Sequence, residues 1–163
     1  THISKKYHDS RAAQLDRINR QLRDLYGPLY VILKSGDRLW NSFWQHNRPA
    51  HGQDHYFGSN ACLTERELET WRIWMKHVFE PMNAKAESII LDNIDLLETD
   101  DIPEAFLDAI AHIAAYKAVL ARWEKADYSE HTSVNNWPAR ELTEVVKKEF
   151  EQLRQKQQQL MKG

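Results

Sequence analysis

One stripe of apolar residues constrains this fold more than any other feature, because it continues past a proline. In "LRDLYGPLYVILK", residues 22–34, the pair Gly27-Pro28 interrupts an otherwise amphipathic helix. An interior proline removes a backbone hydrogen bond and costs about 3 kcal/mol, yet a helix end there would not keep both halves of the stripe in step. We therefore predict one kinked helix over residues 4–46. Its stripe comprises Leu15, Ile18, Leu22, Leu25, Leu29, Ile32, Gly36, Leu39 and Phe43.

A second long helix is predicted from the same pattern. The segment "TERE" is typical of a capping box, in which Thr64 and Glu67 satisfy each other's backbone N–H groups. The apolar stripe that follows, over residues 68–97, again passes an interior proline, Pro81. Two long helices, each kinked by a proline, would curve together around one core.

A third helix begins near Pro103 and is apolar nearly all round, which predicts that it is mostly buried, and a fourth helix begins near Pro138. Four helices with short to medium connections predict an all-α fold, an antiparallel up-down-up-down four-helix bundle with two proline-kinked long helices. A length of 163 residues suits one domain, residues 1–163. Because the third helix is much shorter than the first, residues 1–14 and 151–163 are predicted to project as a two-helix stalk; fraying of both ends is the alternative.

Composition excludes several classes of protein. Apolar residues make up 42% and charged residues 28%, as in ordinary globular domains. A net charge of −2 disfavours a dedicated nucleic-acid binder. The single cysteine, Cys62, leaves no internal disulfide and favours a reducing compartment. No apolar run reaches the roughly 18 residues of a membrane span.

Histidines gather in the loops predicted at one end of the bundle. "HGQDH" supplies His51, Asp54 and His55, and the loop before the fourth helix supplies His131. Imidazole and carboxylate ligands suit zinc, iron or nickel, and a bound water could act as a hydrolytic nucleophile. The turn-rich sequence favours capping or solvated histidines instead. A divalent transition metal site is therefore the alternative hypothesis.

A second candidate site lies on the third helix, where Asp108, His112 and Tyr116 recur every four residues. A carboxylate that orients an imidazole is typical of a general base. The commoner structure with this pattern is a buried histidine hydrogen-bonded to Asp108 or to a facing Trp or Tyr. The six tryptophans predict core packing, with an aromatic ligand pocket between helices as a minor alternative.

Basic residues concentrate at the two ends of the chain, which an antiparallel bundle would bring together. Residues 1–23 hold six basic and two acidic side chains, a net +4, and residues 151–163 hold three basic and one acidic, a net +2. Such a surface suits an anionic membrane leaflet. The acidic segment 83–108 turns at the same end and would neutralise part of this charge. The basic end is represented by Lys5, Lys6, Arg11 and Arg17.

Four segments resemble an uncharacterised group of bacterial proteins: "LRDLYGPLYVILK", "WRIWMKHVFEPMN", "AHIAAYKAVLARWE" and "YSEHTSVNNWP". In that group an N-terminal membrane segment precedes a charged helical stretch and a soluble helical domain. The resemblance implies a bacterial source and a cytoplasmic location. It implies no activity, since none is assigned to the group.

The leading hypothesis is a non-catalytic helical interaction module with a protein partner and no cofactor. Because the sequence begins with Thr1 and not Met, we expect it to be the soluble part of a longer, membrane-anchored protein. The metal-binding or metal-dependent hydrolytic domain is the alternative. A homo-oligomer assembled through the two stalk segments is a third hypothesis.

Overall fold

The computed structural model describes residues 2–48, 56–57 and 62–162. Within these ranges the regular structure is entirely helical and falls into four long stretches. The prediction of an all-α fold is confirmed for this part of the chain.

The first stretch passes Pro28 without a break. It consists of α1 (His2–Arg20), a π-helical segment π1 (Gln21–Tyr26) and α2 (Gly27–Asn47). Gly27 itself has helical backbone angles, φ −64° and ψ −58°. The chain therefore does not end a helix or reverse at this proline, as the continuous apolar stripe predicts.

A widened turn is what accommodates the proline. The Gly27 N–H donates to the carbonyl oxygen of Leu22, five residues back instead of the usual four. Pro28 has no N–H, and in a regular α-helix its ring would crowd the carbonyl of Asp24. A π turn directly before the proline relaxes that crowding. Glycine is required at position 27 because a Cβ there would collide with the Leu22 carbonyl oxygen.

The π turn also changes which side chains face the core. Gln21 is buried and Leu22 only half-buried, the reverse of what the uninterrupted stripe predicts. The Gln21 amide nitrogen Nε2 donates to the Leu96 carbonyl oxygen at 3.0 Å and to Glu98 Oε2 at 2.8 Å. These two bonds help to satisfy a polar side chain that a simple heptad count assigns to solvent.

The second stretch repeats this design. It comprises α3 (Glu65–Trp74), the π-helical segment π2 (Met75–Phe79) and α4 (Glu80–Asp92), followed by a 3₁₀ turn (Ile94–Leu96). The N–H of Glu80, one residue before Pro81, donates to the Met75 carbonyl oxygen five residues back. The same widened turn thus precedes the interior proline of both long helices.

The predicted capping box at the start of α3 is confirmed. Thr64 Oγ1 accepts from the Glu67 N–H at 3.2 Å, and Glu67 Oε1 accepts from the Thr64 N–H at 3.0 Å. Both bonds satisfy N–H groups that a helix start would otherwise leave unpaired.

The remaining helices are α5 (Glu104–Glu124) and α6 (Ala139–Lys162). Helix α6 runs opposite to the first stretch, since rising residue numbers on one meet falling numbers on the other. Arg11 donates to the Leu160 carbonyl oxygen, Gln157 to Asn19, and Tyr30 stacks on Phe150 with ring centroids 5.1 Å apart.

The buried side chains form two clusters. The aliphatic cluster joins α1, π1, α2, α4, α5 and α6; its main members are Ile18, Leu25, Leu29, Leu33, Ile89, Ile90, Phe106, Leu142, Val146 and Leu153. The aromatic cluster joins α2, α3, π2 and α5 with residues of the first loop, which connects α2 to α3; its buried members are Phe43, Tyr56, Trp71, Met75, Tyr116, Val119 and Trp123.

Candidate ligand-binding site

A cavity of about 460 Å³ opens beside the aromatic cluster. It lies between α2, π2, α4, α5 and the loop over residues 125–138, and Phe57 of the first loop also lines it. Ligand pockets in proteins commonly enclose roughly 300–1,000 Å³. The space is therefore large enough for a small organic molecule.

Aromatic rings set at steep angles form the walls of the cavity. Trp40 lines the cavity, with its ring centroid 6.1 Å from that of Trp71 at an interplanar angle of 83° and 6.1 Å from that of Phe79 at 63°. Phe57 meets Trp71 edge to face at 4.8 Å. Edge-to-face pairs are favourable in themselves, and Trp40, Phe57, Trp71 and Phe79 all line the open space.

The described part of the first loop is tied to α3 through a buried arginine. Arg48 Nη1 donates to the Tyr56 carbonyl oxygen at 2.6 Å, and its Nε lies 2.7 Å from Glu67 Oε2. The Tyr56 hydroxyl donates to the Glu67 carbonyl oxygen at 3.0 Å, and burial raises the pKa of Tyr56 to about 12. These contacts fix Tyr56 and hence its neighbour Phe57, which lines the cavity.

His112 supplies a polar group to the cavity. Its Nδ1 lies 2.6 Å from the Asn135 carbonyl oxygen, and its ring centroid lies 5.4 Å from those of both Tyr116 and Trp137. A carbonyl only accepts, so Nδ1 carries the proton. Burial lowers the pKa of His112 despite this bond. The neutral ring therefore keeps a lone pair on Nε2.

Asp108 is not the partner of His112. Its side chain is exposed, whereas His112 and Tyr116 are buried. Asp108 lies one turn before His112 on α5, and the hydrogen bond that the structure gives His112 goes from Nδ1 to the Asn135 carbonyl oxygen of the loop and not to this carboxylate.

One backbone carbonyl holds the second loop against the aromatic cluster. The His131 carbonyl oxygen accepts from Trp71 Nε1 and from the Tyr116 hydroxyl, each at 2.7 Å. Burial raises the pKa of Tyr116, so the hydroxyl stays a donor. Phe57 and His131 thus both contact Trp71, so these two loop residues lie at the same end of the molecule.

Asp37 carries the only formal charge among the described residues that line the cavity. It is half-buried, and burial raises the pKa of its carboxyl group while nearby Lys34 acts in the opposite direction. Its neighbour Gly36 also lines the cavity, and a Cβ at that position would meet open space.

The predicted metal site is only partly within the described residues. His51, Asp54 and His55 lie outside them. His131 Nε2 lies 2.9 Å from Arg72 Nη1, so this nitrogen accepts from a guanidinium. Burial and, secondarily, Arg72 lower the pKa of His131. A guanidinium beside that nitrogen opposes a metal cation there, and the described residues hold no group of three or more metal-ligating side chains.

The basic residues at the start of the chain divide into two kinds. Lys5 and Lys6 are exposed on α1. Arg11 donates to the Leu160 carbonyl oxygen and Arg17 to that of Leu97 at 3.2 Å, so both cap neighbouring backbone.

Acidic residues of segment 83–108 lie beside basic residues of α1 and α6, as predicted for this end of the bundle. Lys156 lies 2.9 Å from Glu98, and Arg20 lies 3.9 Å from Asp95. Part of the basic charge is therefore neutralised within the fold.

No helix in the described ranges combines the length and apolarity needed to cross a bilayer.

Several residues that line the cavity are not among the site residues predicted from the sequence. Asp37 and Trp40 lie three residues apart on α2, a spacing that places them on one face of the helix. That spacing could have identified Asp37 as a residue beside Trp40. No sequence pattern could have identified Asn135 or the rest of its loop, since an irregular segment has no periodicity.

Comparison with known protein families, curated proteins and solved structures finds no match to this chain. The resemblance to a bacterial group, and the cytoplasmic location that it implies, therefore stay predictions.

Proposed function

We propose that this chain is a non-catalytic helical binding module that holds a small, largely apolar ligand in the aromatic cavity. The observation that carries this proposal is the cavity itself. Ligand pockets are typically concave, lined mainly by apolar and aromatic side chains, and roughly 300–1,000 Å³ in volume. The space of about 460 Å³ against Trp40, Trp71 and Phe79 has this size and this lining.

The polar groups of the cavity support binding. His112 and Asn135 are held by a hydrogen bond to each other, and Tyr116 is held by its bond to the His131 carbonyl. Few but fixed polar groups in an apolar pocket orient a ligand. His112 is positioned by a backbone carbonyl, which fixes the ring without the carboxylate that commonly supports a general base.

The scaffold proposed for this site is an antiparallel up-down-up-down four-helix bundle with two proline-kinked long helices. Two contacts between the first two stretches support opposite directions. Gln21 bonds to Leu96, whereas Phe43 meets Trp71 with ring centroids 5.6 Å apart. The predicted protein partner, homo-oligomer, stalk and membrane contact stay predictions.

The proposal is tested by a ligand-observed NMR screen of a library of apolar and aromatic fragments. The blocking variant is Gly36→Leu, which adds a side chain where the structure has open space along the cavity. The matched control is Ser35→Leu, which adds a similar bulk at the neighbouring exposed position that does not line the cavity. Circular dichroism establishes that both variants are folded.

We expect fragments to bind the wild-type chain and the Ser35→Leu variant and to lose binding in the Gly36→Leu variant. Fragment binding that is equal in all three proteins would contradict the proposal, and so would a screen without any bound fragment.

A further inference from the structure

We propose that the ligand of the aromatic cavity is an organic cation, an ammonium group carried on an aromatic or other apolar body. This inference rests on the proposed function and specifies the chemistry of its ligand. Asp37 would compensate the charge of the ammonium group, and the aromatic lining around Trp40 would contact both that group and the apolar body.

The first argument is the geometry of the rings. Tryptophan attracts a cation over its face more strongly than the other aromatic side chains do. Trp71 stands at 83° to Trp40 and Phe79 at 63°, so these rings form adjoining walls and not a single stack. A cationic group bound in the cavity would lie against a lining that includes two tryptophans, and aromatic linings of this kind recognise quaternary ammonium groups.

The second argument is the charge of the lining. Asp37 is the only formally charged side chain among the described lining residues, and it lies on the same face of α2 as Trp40. An anionic ligand would be repelled by this carboxylate. A neutral apolar ligand would cover it without replacing the water that it loses, which is unfavourable for a charged group.

The third argument is the partial burial of that carboxylate. Burial raises the pKa of Asp37, because the half-buried carboxylate loses part of its hydration. Lys34, on the same helix, is exposed and compensates only in part. A cation inside the cavity would supply the missing compensation, since an opposite charge at close range stabilises the carboxylate.

The test uses two probes of nearly identical shape. Benzyltrimethylammonium carries a quaternary nitrogen where neopentylbenzene carries a quaternary carbon. Each is titrated by calorimetry into the full chain and into the variants Asp37→Asn and Asp9→Asn. The second variant makes the same change in net charge at an exposed position on α1.

We expect the cation to bind the wild-type chain about tenfold more tightly than its neutral isostere, a ratio within the range of desolvated cation–π and charge contacts. Asp37→Asn should weaken binding of the cation and reduce this advantage, whereas neopentylbenzene should bind the variant no more weakly than the wild type, because an uncharged amide loses less hydration than a carboxylate when it is covered. Asp9→Asn should leave both affinities unchanged.

Equal or tighter binding of neopentylbenzene, or a cation affinity that does not change in Asp37→Asn, would overturn the inference. If fragments bind the cavity in the Gly36-dependent manner described above while the cation does not, the inference fails and the proposed function stands. If no probe and no fragment binds, both fail.

Discussion

The aliphatic and aromatic clusters are filled in different ways although α2 and α5 contribute to both. Leu25, Leu29, Leu142 and Val146 are each 0% exposed, as expected where branched side chains interdigitate. At the aromatic end Phe43 is equally buried, but Trp40 is only half-buried beside the cavity. Large flat rings at steep angles leave space that methyl groups would fill. The aliphatic end is filled by its own side chains, whereas the aromatic end borders the cavity in which we propose that a ligand binds.

The largest expected effect on stability comes from replacing one phenylalanine by alanine in each cluster. Phe106 in the aliphatic cluster is 1% exposed, and Phe106→Ala should lower the free energy of unfolding by about 3–5 kcal/mol. Phe79 is half-buried at the cavity, and Phe79→Ala should lower it by only about 1–2 kcal/mol. Urea unfolding followed by circular dichroism measures both values. Equal losses would show that the two ends are packed alike.

The two glycines of α2 sharpen the comparison, because alanine should have opposite effects at them. A Cβ at Gly27 collides with the Leu22 carbonyl oxygen, so Gly27→Ala should destabilise the fold by about 1–3 kcal/mol. A Cβ at Gly36 meets open space, so Gly36→Ala should stabilise it by about 0.5–1 kcal/mol through helix propensity. The same unfolding experiment compares them. A stable Gly27→Ala variant would mean that the π turn is not constrained by this contact.

A pH dependence of stability is expected from the aromatic end. Burial lowers the pKa of both His112 and His131 below the ordinary value of 6.5, so the unfolded chain binds protons more readily than the folded one. The free energy of unfolding should therefore have its full value above pH 6.5 and decrease as the pH falls below 6.5.

This dependence is measured by urea unfolding between pH 8 and pH 5, with the wild type and two variants. His112→Gln, whose amide can still donate to the Asn135 carbonyl, should show a shallower decrease. His8→Gln serves as the control, since His8 is exposed on α1. If the free energy of unfolding falls with pH as steeply in His112→Gln as in the wild type, groups other than His112 cause the pH dependence.

The smallest expected effect concerns the start of the loop that lines the cavity. Ala126 has φ 55°, a left-handed conformation that disfavours residues with a Cβ. It follows α5, and the Asp127 N–H donates to the Arg122 carbonyl oxygen at 3.0 Å, a typical helix-ending bond. Ala126→Gly should raise the free energy of unfolding by up to about 1 kcal/mol. Thermal unfolding measures this change, and a lower melting temperature would contradict the assigned strain.

The sequence predicts the helices well because their signals are local. The apolar stripe places Leu25 and Leu29 in the core, and the Thr64 box marks the start of α3 correctly. The burial of Gln21 in place of Leu22 was missed, because a regular period takes no account of the extra residue in a π turn.

The cavity and its polar groups depend on contacts between distant segments. His112 bonds to Asn135, 23 residues later, and no pattern in the sequence links them. The volume beside Trp40 depends on the relative tilt of several rings, which composition does not determine. Six tryptophans allow an aromatic pocket but equally allow a filled core.

The two widened turns have a consequence for how this chain can evolve in length. Each contains one residue more than a regular α-helical turn, and each precedes a proline. Loss of an exposed residue such as Lys76 would restore the regular turn and bring the ring of Pro81 against the carbonyl of His77. The extra residue of each π turn and the proline that follows it therefore depend on each other, and we expect homologous chains to gain or lose the two together.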